Sequence, residues 1–473
     1  MDQKTKHNLQ IVSLVTEFED KLSNGDLDFI SEKTLMELIQ YYESELMYRK
    51  AVDVINIGIQ QFKFRPEFYI AKARINMKMA DYSKALFYLE KAEQLAPFEI
   101  DIQILKARIF ASSEQVDEAL IIISDLKSYC NDGDLREVYM CESFIHETLE
   151  DFNEMYFSLC NTLRIDPSNE EALERIWLAV ELSKRYIDSI RFHEELINTN
   201  PYSHLAWFNL GHAYACIGEY ENAIDSMEYS YIVNKDFNIG YMDCADICMQ
   251  ISRHKKALEV FLEVEKIFGF DEEISMKIGE CYYLIGDIAN AKINLHKSIK
   301  MDPYSDEAYH ILAKCYAKEE KWNQSVKAYH KAIAIDDGME EYFKGIGEAY
   351  FQLGSYDKAE QFYSMATVIA GEESQYWASY ISFLIKTRQI KKALDVIDQA
   401  FEATFGADIL YCQFVALHLI GNYNRAIKVL EEALLEDIDQ HSIIFSLEPE
   451  LKIDKQVNSI INYYMVELIN TDK

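Results

Sequence analysis

The chain has 473 residues, of which 80 are acidic and 47 basic, so its formal net charge is −33. A field of this sign repels nucleic-acid phosphates and anionic lipid headgroups, so we expect a basic or neutral partner and neither nucleic-acid binding nor membrane insertion. Glycine (16) and proline (6) are scarce while hydrophobic residues reach 49%, which argues against the many tight turns of an all-β fold and favours helices.

The amino-terminal segment shows no export signal, because Glu17, Glu19 and Asp20 interrupt the stretch that would have to stay apolar. The longest apolar runs, such as residues 119–123, are far shorter than the roughly 20 residues of a membrane-spanning helix. Nine cysteines are scattered without the close pairing of a disulfide scaffold. Together these features predict a cytoplasmic protein.

Residues 1–31 are predicted to form an N-terminal capping helix followed by a turn at 23–26. Its apolar residues recur at helical spacing and would cover the open end of the fold. They are Ile11, Leu14, Val15, Phe18 and Leu22.

Residues 32–440 repeat with a period of 34. The period is visible in two series of residues, the prolines and the alanines. They are Pro97, Pro167, Pro201 and Pro303, and Ala51, Ala85, Ala119, Ala223, Ala257, Ala291, Ala359 and Ala393, with Met155, Ser189 and Ser325 in the gaps. A two-residue insertion before Met155 and a one-residue deletion before Ala426 are the only disturbances, which indicates one continuous array.

Each unit is predicted to hold two helices, because its apolar residues follow helical rather than alternating spacing. The turn between the helices carries Gly218, Gly286, Gly354 or Gly421, and glycine permits the left-handed conformation that ends a helix. The small alanine five residues later would let the second helix lie close to the first. Proline then ends the second helix, because it lacks the backbone N–H.

Residues 441–473 are predicted to form a C-terminal capping helix. Its apolar stripe would protect the last repeat in the same way as the first cap. The stripe comprises Ile453, Val457, Ile460, Ile461, Tyr464 and Leu468.

The unit from Trp207 to Tyr231 resembles the tetratricopeptide repeat family, whose pattern of Trp, Leu-Gly, Tyr, Ala, aromatic and Ala is met there almost in full. The pattern recurs around Gly279 and Gly347. The resemblance implies an all-α fold, a right-handed superhelical α-solenoid of about twelve helix-turn-helix repeats, acting as a scaffold that holds other proteins. The repeats that begin near residues 136 and 170 depart from it, because Trp177 replaces a small residue and Met155 and Ser189 replace the packing alanine.

The resemblance also implies a concave groove lined by the first helix of each repeat. The groove-facing positions are Met140, Phe144, Glu174, Glu181, Phe208, His212, Met242, Asp246, Met249, Met276, Glu280, Tyr283, Lys314, Lys344 and Glu348. Acidic and methionine-rich positions predict a basic peptide ligand with apolar anchors. The carboxylate-binding residues of the chaperone-adaptor members are missing, and Lys344 stands alone at a position of that kind.

Two further functions stay open: an assembly factor or chaperone for a basic client, and a regulatory subunit of an enzyme complex. Self-association is also possible. We predict no enzyme and no cofactor, because phosphate-binding loops, nucleophile elbows and metal-binding motifs are absent. Cys244, Cys248 and His254 could in principle hold a metal, but both cysteines fall on core positions, so we predict no metal site. Carboxylate pairs such as Glu319 with Glu320 and Glu431 with Glu432 are expected to be solvated.

Overall fold

The computed structural model describes residues 3–24 and 29–471, and that part of the chain is built from α-helices without any strand. Two compact units can be distinguished, residues 1–240 and residues 241–473. The predicted turn at 23–26 lies partly outside the described residues, and so does the side chain of Leu468. No helix in the described ranges is both long and apolar enough to cross a membrane.

The first unit consists of helices joined by short turns. They are α1 (Gln3–Asn24), α2 (Glu32–Ser44), α3 (Tyr48–Gln61), α4 (Pro66–Lys78), α5 (Tyr82–Leu95), α6 (Ile100–Ser112), α7 (Val116–Tyr129), α8 (Asp132–Thr148), α9 (Phe152–Ile165), α10 (Glu170–Ser183), α11 (Tyr186–Thr199), α12 (His204–Cys216) and α13 (Tyr220–Val233). Helix α14 (Asn238–Gln250) contains the boundary between the two units.

The second unit continues with helices of similar length up to α25, followed by the shorter α26 and the longer α27. They are α15 (His254–Phe268), α16 (Glu272–Ile285), α17 (Ile288–Met301), α18 (Asp306–Lys318), α19 (Trp322–Ile335), α20 (Glu340–Gln352), α21 (Tyr356–Ile369), α22 (Ser374–Lys386), α23 (Ile390–Ala403), α24 (Ala407–Leu419), α25 (Tyr423–Glu436), α26 (Ser442–Leu447) and α27 (Lys455–Thr471). Two 3-10 helices, Ile438–His441 and Pro449–Ile453, flank α26.

The predicted tandem repeat is confirmed by a series of left-handed turn residues, one between the two helices of each pair from α2–α3 to α24–α25. Each has a φ between 57° and 94°. They are Leu46, Ala80, Glu114, Glu150, Lys184, Gly218, Ser252, Gly286, Glu320, Gly354, Arg388 and Gly421. The interval is 34 residues except for the two-residue insertion and the one-residue deletion that the sequence indicates. The described chain therefore contains twelve helix pairs in register.

The backbone of Gly286 illustrates what these turns require. Its φ is 94°, and a Cβ built there would meet no atom within 4 Å, so crowding would play no part in a substitution. Gly286→Ala is expected to destabilise this repeat by about 1–2 kcal/mol, because an L-residue is strained in the left-handed region. Hydrogen exchange of α16 and α17 measures the loss.

The matched control is Glu320→Gly, at the equivalent turn with a φ of 58°. Glycine relieves the strain there but makes the unfolded chain more flexible, so the stability should change by less than about 1 kcal/mol. Equal losses in both variants would contradict the assignment of the strain to the backbone.

Proline ends the second helices as predicted. Pro97, Pro167, Pro201 and Pro303 each lie two residues beyond the last helical residue, that of α5, α9, α11 and α17 respectively. The first helices begin at side-chain caps in several repeats, as at Ser203, whose Oγ accepts from the Ala206 N–H at 3.3 Å. Caps and prolines thus fix both ends of a pair locally.

Small residues bring the two helices of a pair together. A Cβ on Gly279 of α16 would lie 2.8 Å from Leu295 Cγ and 3.3 Å from the carbonyl oxygen of Ala291, both on α17. Ala291 is fully buried, as are the equivalent alanines at 51, 85, 119, 223, 257, 359 and 393. The predicted close packing at these positions is therefore confirmed.

The pair α10–α11 departs from this packing. Trp177 stands where Gly211 and Gly279 stand in other pairs, and Ser189 replaces the alanine. The backbones of α10 and α11 approach each other at few residues, and α10 instead lies close to α9. An indole needs far more room than a glycine hydrogen, so the bulky residue separates the two helices.

The terminal helices bury part of their predicted stripes. In α1 the side chains of Val15 and Phe18 are buried, and in α27 those of Val457 and Ile461 are buried. Leu22 and Ile453 are exposed, and Ile453 lies in the second 3-10 helix rather than in α27. The predicted boundaries at 31 and 440 stay a prediction.

Candidate partner-binding site

The predicted groove residues all lie on first helices of repeats. In the first unit they are on α8 (Met140, Phe144), α10 (Glu174, Glu181) and α12 (Phe208, His212). In the remaining repeats they are on α14 (Met242, Asp246, Met249), α16 (Met276, Glu280, Tyr283), α18 (Lys314) and α20 (Lys344, Glu348). Met140 and Met276 pack into hydrophobic clusters and are 7% and 6% exposed, so they offer little surface to a partner.

An aromatic patch lies on α10 and α12 in the first unit. The ring centroid of His212 is 4.4 Å from that of Phe208 and 4.9 Å from that of Trp177. Phe237 adds a ring 5.0 Å from Phe208 in an edge-to-face arrangement. Trp177, Phe208 and His212 are all half-buried, so their remaining surface faces solvent. Sequence analysis predicted Phe208 and His212, but it treated Trp177 only as a packing irregularity.

Two carboxylates accompany this patch on α10. Glu174 and Glu181 are exposed, and within the described ranges neither lies within ion-pair distance of a basic group. The nearby Arg175 is already paired with Glu147, at 2.6 Å, and contributes no free positive charge. Burial lowers the pKa of His204 on α12, while Glu170 and Glu174 of α10 act in the opposite direction. Glu174 and Glu181 lie three residues before and four residues after Trp177, on the same face of α10.

We call Glu174, Trp177, Glu181, Phe208 and His212 the α10–α12 patch. Its rings offer π faces and its carboxylates offer unpaired negative charge. A lysine or arginine side chain can use both at once, through a cation–π contact and an ion pair. Apolar side chains can fill the space between the rings.

The predicted residues of the second unit have a different electrostatic surrounding. Asp246 Oδ1 lies 3.7 Å from Lys277 Nζ, a lysine that sequence analysis did not nominate. Burial raises the pKa of Glu280, against the lowering effect of Lys277 and Lys314. Lys314 also lies over the ring of Tyr283, 5.4 Å from its centroid. The acidic character predicted for this stretch is therefore offset by neighbouring lysines.

A cavity of about 640 Å³ opens on the same face of the second unit. Its wall includes three lysines, Lys314, Lys344 and Lys386. The carboxylate of Glu348 is held by the hydroxyl of Tyr363, which donates to it at 2.7 Å. Residues of α26 close one side of the cavity.

The candidate metal and catalytic groups are placed in structural roles. Cys244 and Cys248 are buried, and no group of three or more possible ligands gathers anywhere in the described ranges. Glu319 binds Lys292 and Lys321, at 2.6 and 2.9 Å, which leaves it ionised in a surface network. The pKa of Glu319 is lowered by these hydrogen bonds, the opposite of what a general acid needs.

Family models decide the identity of these repeats. Models of the tetratricopeptide repeat match residues 66–99, 206–229 and 294–374. The chain carries tandem tetratricopeptide repeats. The three matched segments fall on helix pairs that share the register of the left-handed turns, so the same repeat extends through the pairs between them.

Relatives of this tetratricopeptide repeat protein include one that is itself named for these repeats. It is 20% identical over 384 residues to the TPR repeat-containing protein YpiA of Bacillus subtilis, covering 79% of this chain and 89% of the relative. It is 30% identical over 123 residues to the BBSome complex member BBS4 of Bos taurus, a match that covers 24% of each chain. The solved structure of YrrB, described as a TPR protein with an unusual peptide-binding site, is 15% identical with a TM-score of 0.33, covering 39% of this chain and 95% of that one.

Proposed function

We propose that this tetratricopeptide repeat protein is a non-catalytic scaffold that holds a basic segment of a partner protein on the α10–α12 patch. The observation that carries the proposal is the coincidence of three half-buried rings with two unpaired carboxylates on neighbouring first helices. The net charge of −33 adds long-range attraction for a basic partner. The other predicted groove residues, from Met242 to Glu348, belong to the second unit and are proposed as a separate contact surface.

The surroundings of the patch also favour binding over chemistry. Burial raises the pKa of the Cys141 and Cys160 thiols within the repeats to about 12 each. Such thiols are poor nucleophiles. None of the nine cysteines, all of which lie in the described ranges, forms a disulfide with another, which fits the reducing cytoplasm that we propose as its location.

Affinity capture of the tagged protein at low and high salt tests the proposal. We expect a stoichiometric partner that binds through a lysine- or arginine-rich segment and is released as salt screens the charges. Glu174→Lys with Glu181→Lys should weaken binding of that partner by at least about tenfold, because two attractive contacts become repulsive.

The matched control is Glu154→Lys with Glu195→Lys, which makes the same change of charge at exposed positions of α9 and α11. Binding in this control should stay within about twofold of the wild type. An equal loss of affinity in the two variants would show that the effect comes from the net charge alone. Unchanged binding in both would show that the patch does not contact the partner.

A chaperone or assembly factor for a basic client is the second candidate, favoured by the same unpaired carboxylates. A chaperone and a scaffold would use the same binding site but differ in how long the bound protein stays. A client would be released once folded or assembled, whereas a scaffold partner stays bound. Pulse-chase capture of the partner distinguishes the two.

A further inference from the structure

A second surface lies between α18 and α19, and its chemistry differs from that of the α10–α12 patch. It is a groove of about 540 Å³, and most of its wall is apolar. Its residues are Tyr309, Leu312, Tyr316, Gln324, Lys327, Ala328, His330, Lys331 and Ala334, which we call the α18–α19 groove. Leu312 and Ala328 form its buried floor, and Tyr309 and Tyr316 are half-buried at its side.

The first unit holds the equivalent groove three repeats earlier, which serves as an internal reference. Trp207, Leu210 and Tyr214 take the places of the residues at 309, 312 and 316. There Tyr229 stacks on Trp207 with ring centroids 4.6 Å apart, and Asp225 adds a negative charge. The cavity is smaller, about 360 Å³.

In the α18–α19 groove the positions equivalent to Asp225 and Tyr229 are both lysines. Lys327 stands where Asp225 stands, and Lys331 stands where Tyr229 stands, so no ring closes the apolar floor. Both lysines are exposed, and neither lies within ion-pair distance of a carboxylate in the described part of the chain. No other repeat of the array has lysine at both positions.

The surrounding sequence is basic as well. Between residues 292 and 331 the chain has eight lysines against five carboxylates, although the whole protein carries a net charge of −33. Lys300 adds a positive charge on α17 at the position that holds Asn198 in the first unit, and His296 replaces the carboxylate of Glu194. Lys292 and Lys321 share Glu319, and Lys297 binds Glu265, whereas Lys327 and Lys331 have no such partner in the described ranges. These two unpaired like charges repel one another, which lowers stability unless a partner supplies the opposite charge.

We propose that the α18–α19 groove binds an acidic amphipathic helix of a partner protein. Lys327 and Lys331 are one helical turn apart, which suits two carboxylates spaced by three or four residues on the partner. Large apolar side chains on the same face of that helix would enter the floor between Leu312 and Tyr316. The groove would then select an acidic ligand, whereas the α10–α12 patch selects a basic one.

A displayed library of random 18-residue peptides tests this proposal, with full-length protein as the target. Peptides selected on the wild type and counter-selected on Lys327→Asp with Lys331→Tyr should be rich in aspartate, glutamate and large apolar residues. These substitutions install the residues of the first-unit groove. By fluorescence anisotropy at low salt, the selected peptide should bind this variant at least about tenfold more weakly than the wild type.

The matched control is Lys255→Asp with Lys266→Tyr, which makes the same substitutions at exposed positions of α15 and should leave binding within about twofold. Circular dichroism verifies that both variants stay folded. Failure to enrich acidic peptides, or equal binding to the wild type and the groove variant, would overturn the proposal.

Two other occupants would also overturn it. Binding to vesicles containing phosphatidylserine, lost in the groove variant while no peptide binds, would assign the groove to a membrane surface. A concentration-dependent increase in mass that the groove variant abolishes would assign it to a second copy of this chain. Neither result would affect the α10–α12 patch, whose test uses different residues and a ligand of opposite charge.

Discussion

Replacing Ala291 with leucine is expected to destabilise the α16–α17 pair by about 3 kcal/mol, since three extra carbon atoms would have to enter a full interior. Ala291 is fully buried, and its carbonyl oxygen would lie 3.3 Å from a Cβ at Gly279 on the facing helix. The backbones therefore approach too closely for a larger side chain. The two helices must separate, which would also loosen contacts around Leu295.

Hydrogen exchange of α16 and α17 measures this effect better than global unfolding, because a repeat array can open locally. The matched control is Ala289→Leu, which adds the same atoms at an exposed position of α17 and should change the stability by less than about 0.5 kcal/mol. If Ala291→Leu had as little effect as the control, close packing at the alanine would not be what holds the pair together.

Acidification from pH 7 to pH 4.5 is expected to destabilise the α10–α11 repeat by about 2–3 kcal/mol through His193 alone. Burial lowers the pKa of His193 to about 4. Its Nδ1 lies 2.8 Å from the carbonyl oxygen of Ser189, to which it donates, whereas Nε2 has no hydrogen-bond partner in the described ranges. A proton on Nε2 would therefore be buried without an acceptor.

The direction of this pH effect follows from the pKa of His193 in the unfolded chain and in the folded chain. The unfolded chain binds the proton near pH 6.5 and the folded chain only near pH 4, so the unfolded state gains protons first as the pH falls. The stability contributed by His193 is complete above pH 6.5 and is lost progressively between pH 6.5 and pH 4.

The variant His193→Leu removes this titration. Carboxylates elsewhere titrate equally in both proteins, so the difference in stability between pH 7 and pH 4.5 should be smaller in the variant by about 2–3 kcal/mol. Hydrogen exchange of α10 and α11 at the two pH values gives that difference. The control His296→Gln changes a histidine of α17, outside the repeat in which exchange is measured, and should leave the difference for α10 and α11 unchanged. If His193→Leu also leaves it unchanged, burial of His193 is not the cause.

The repeat itself could be predicted because its determinants are local. Gly286 ends a helix through its own backbone freedom, Pro201 ends one through its missing N–H, and Ala291 admits a neighbouring helix through its size. Each of these properties belongs to a single residue, and a period of 34 brings it back in every unit. Helix type, turn position and packing face could therefore be predicted from the printed sequence.

The candidate site could be predicted only in part. The register placed Phe208 and His212 correctly on first helices, but it treated Trp177 as a defect because position in a repeat does not show which rings meet. It also nominated Met140, whose side chain the neighbouring helices cover. The burial of a groove-facing side chain depends on how closely its helix pair packs against the next pair. That spacing is set by side chains of both repeats.

The sequence by itself determined the helix pairs, their number, their turns and the overall acidity of this tetratricopeptide protein. Only the tertiary structure decided which charges remain unpaired, because residues such as Asp246 and Lys277 are 31 residues apart in the chain and form an ion pair only when helices stack. Electrostatic interactions depend on distances in space and on burial. For that reason the sequence predicted one acidic groove, whereas the folded chain has an acidic patch in one unit and a basic groove in the other.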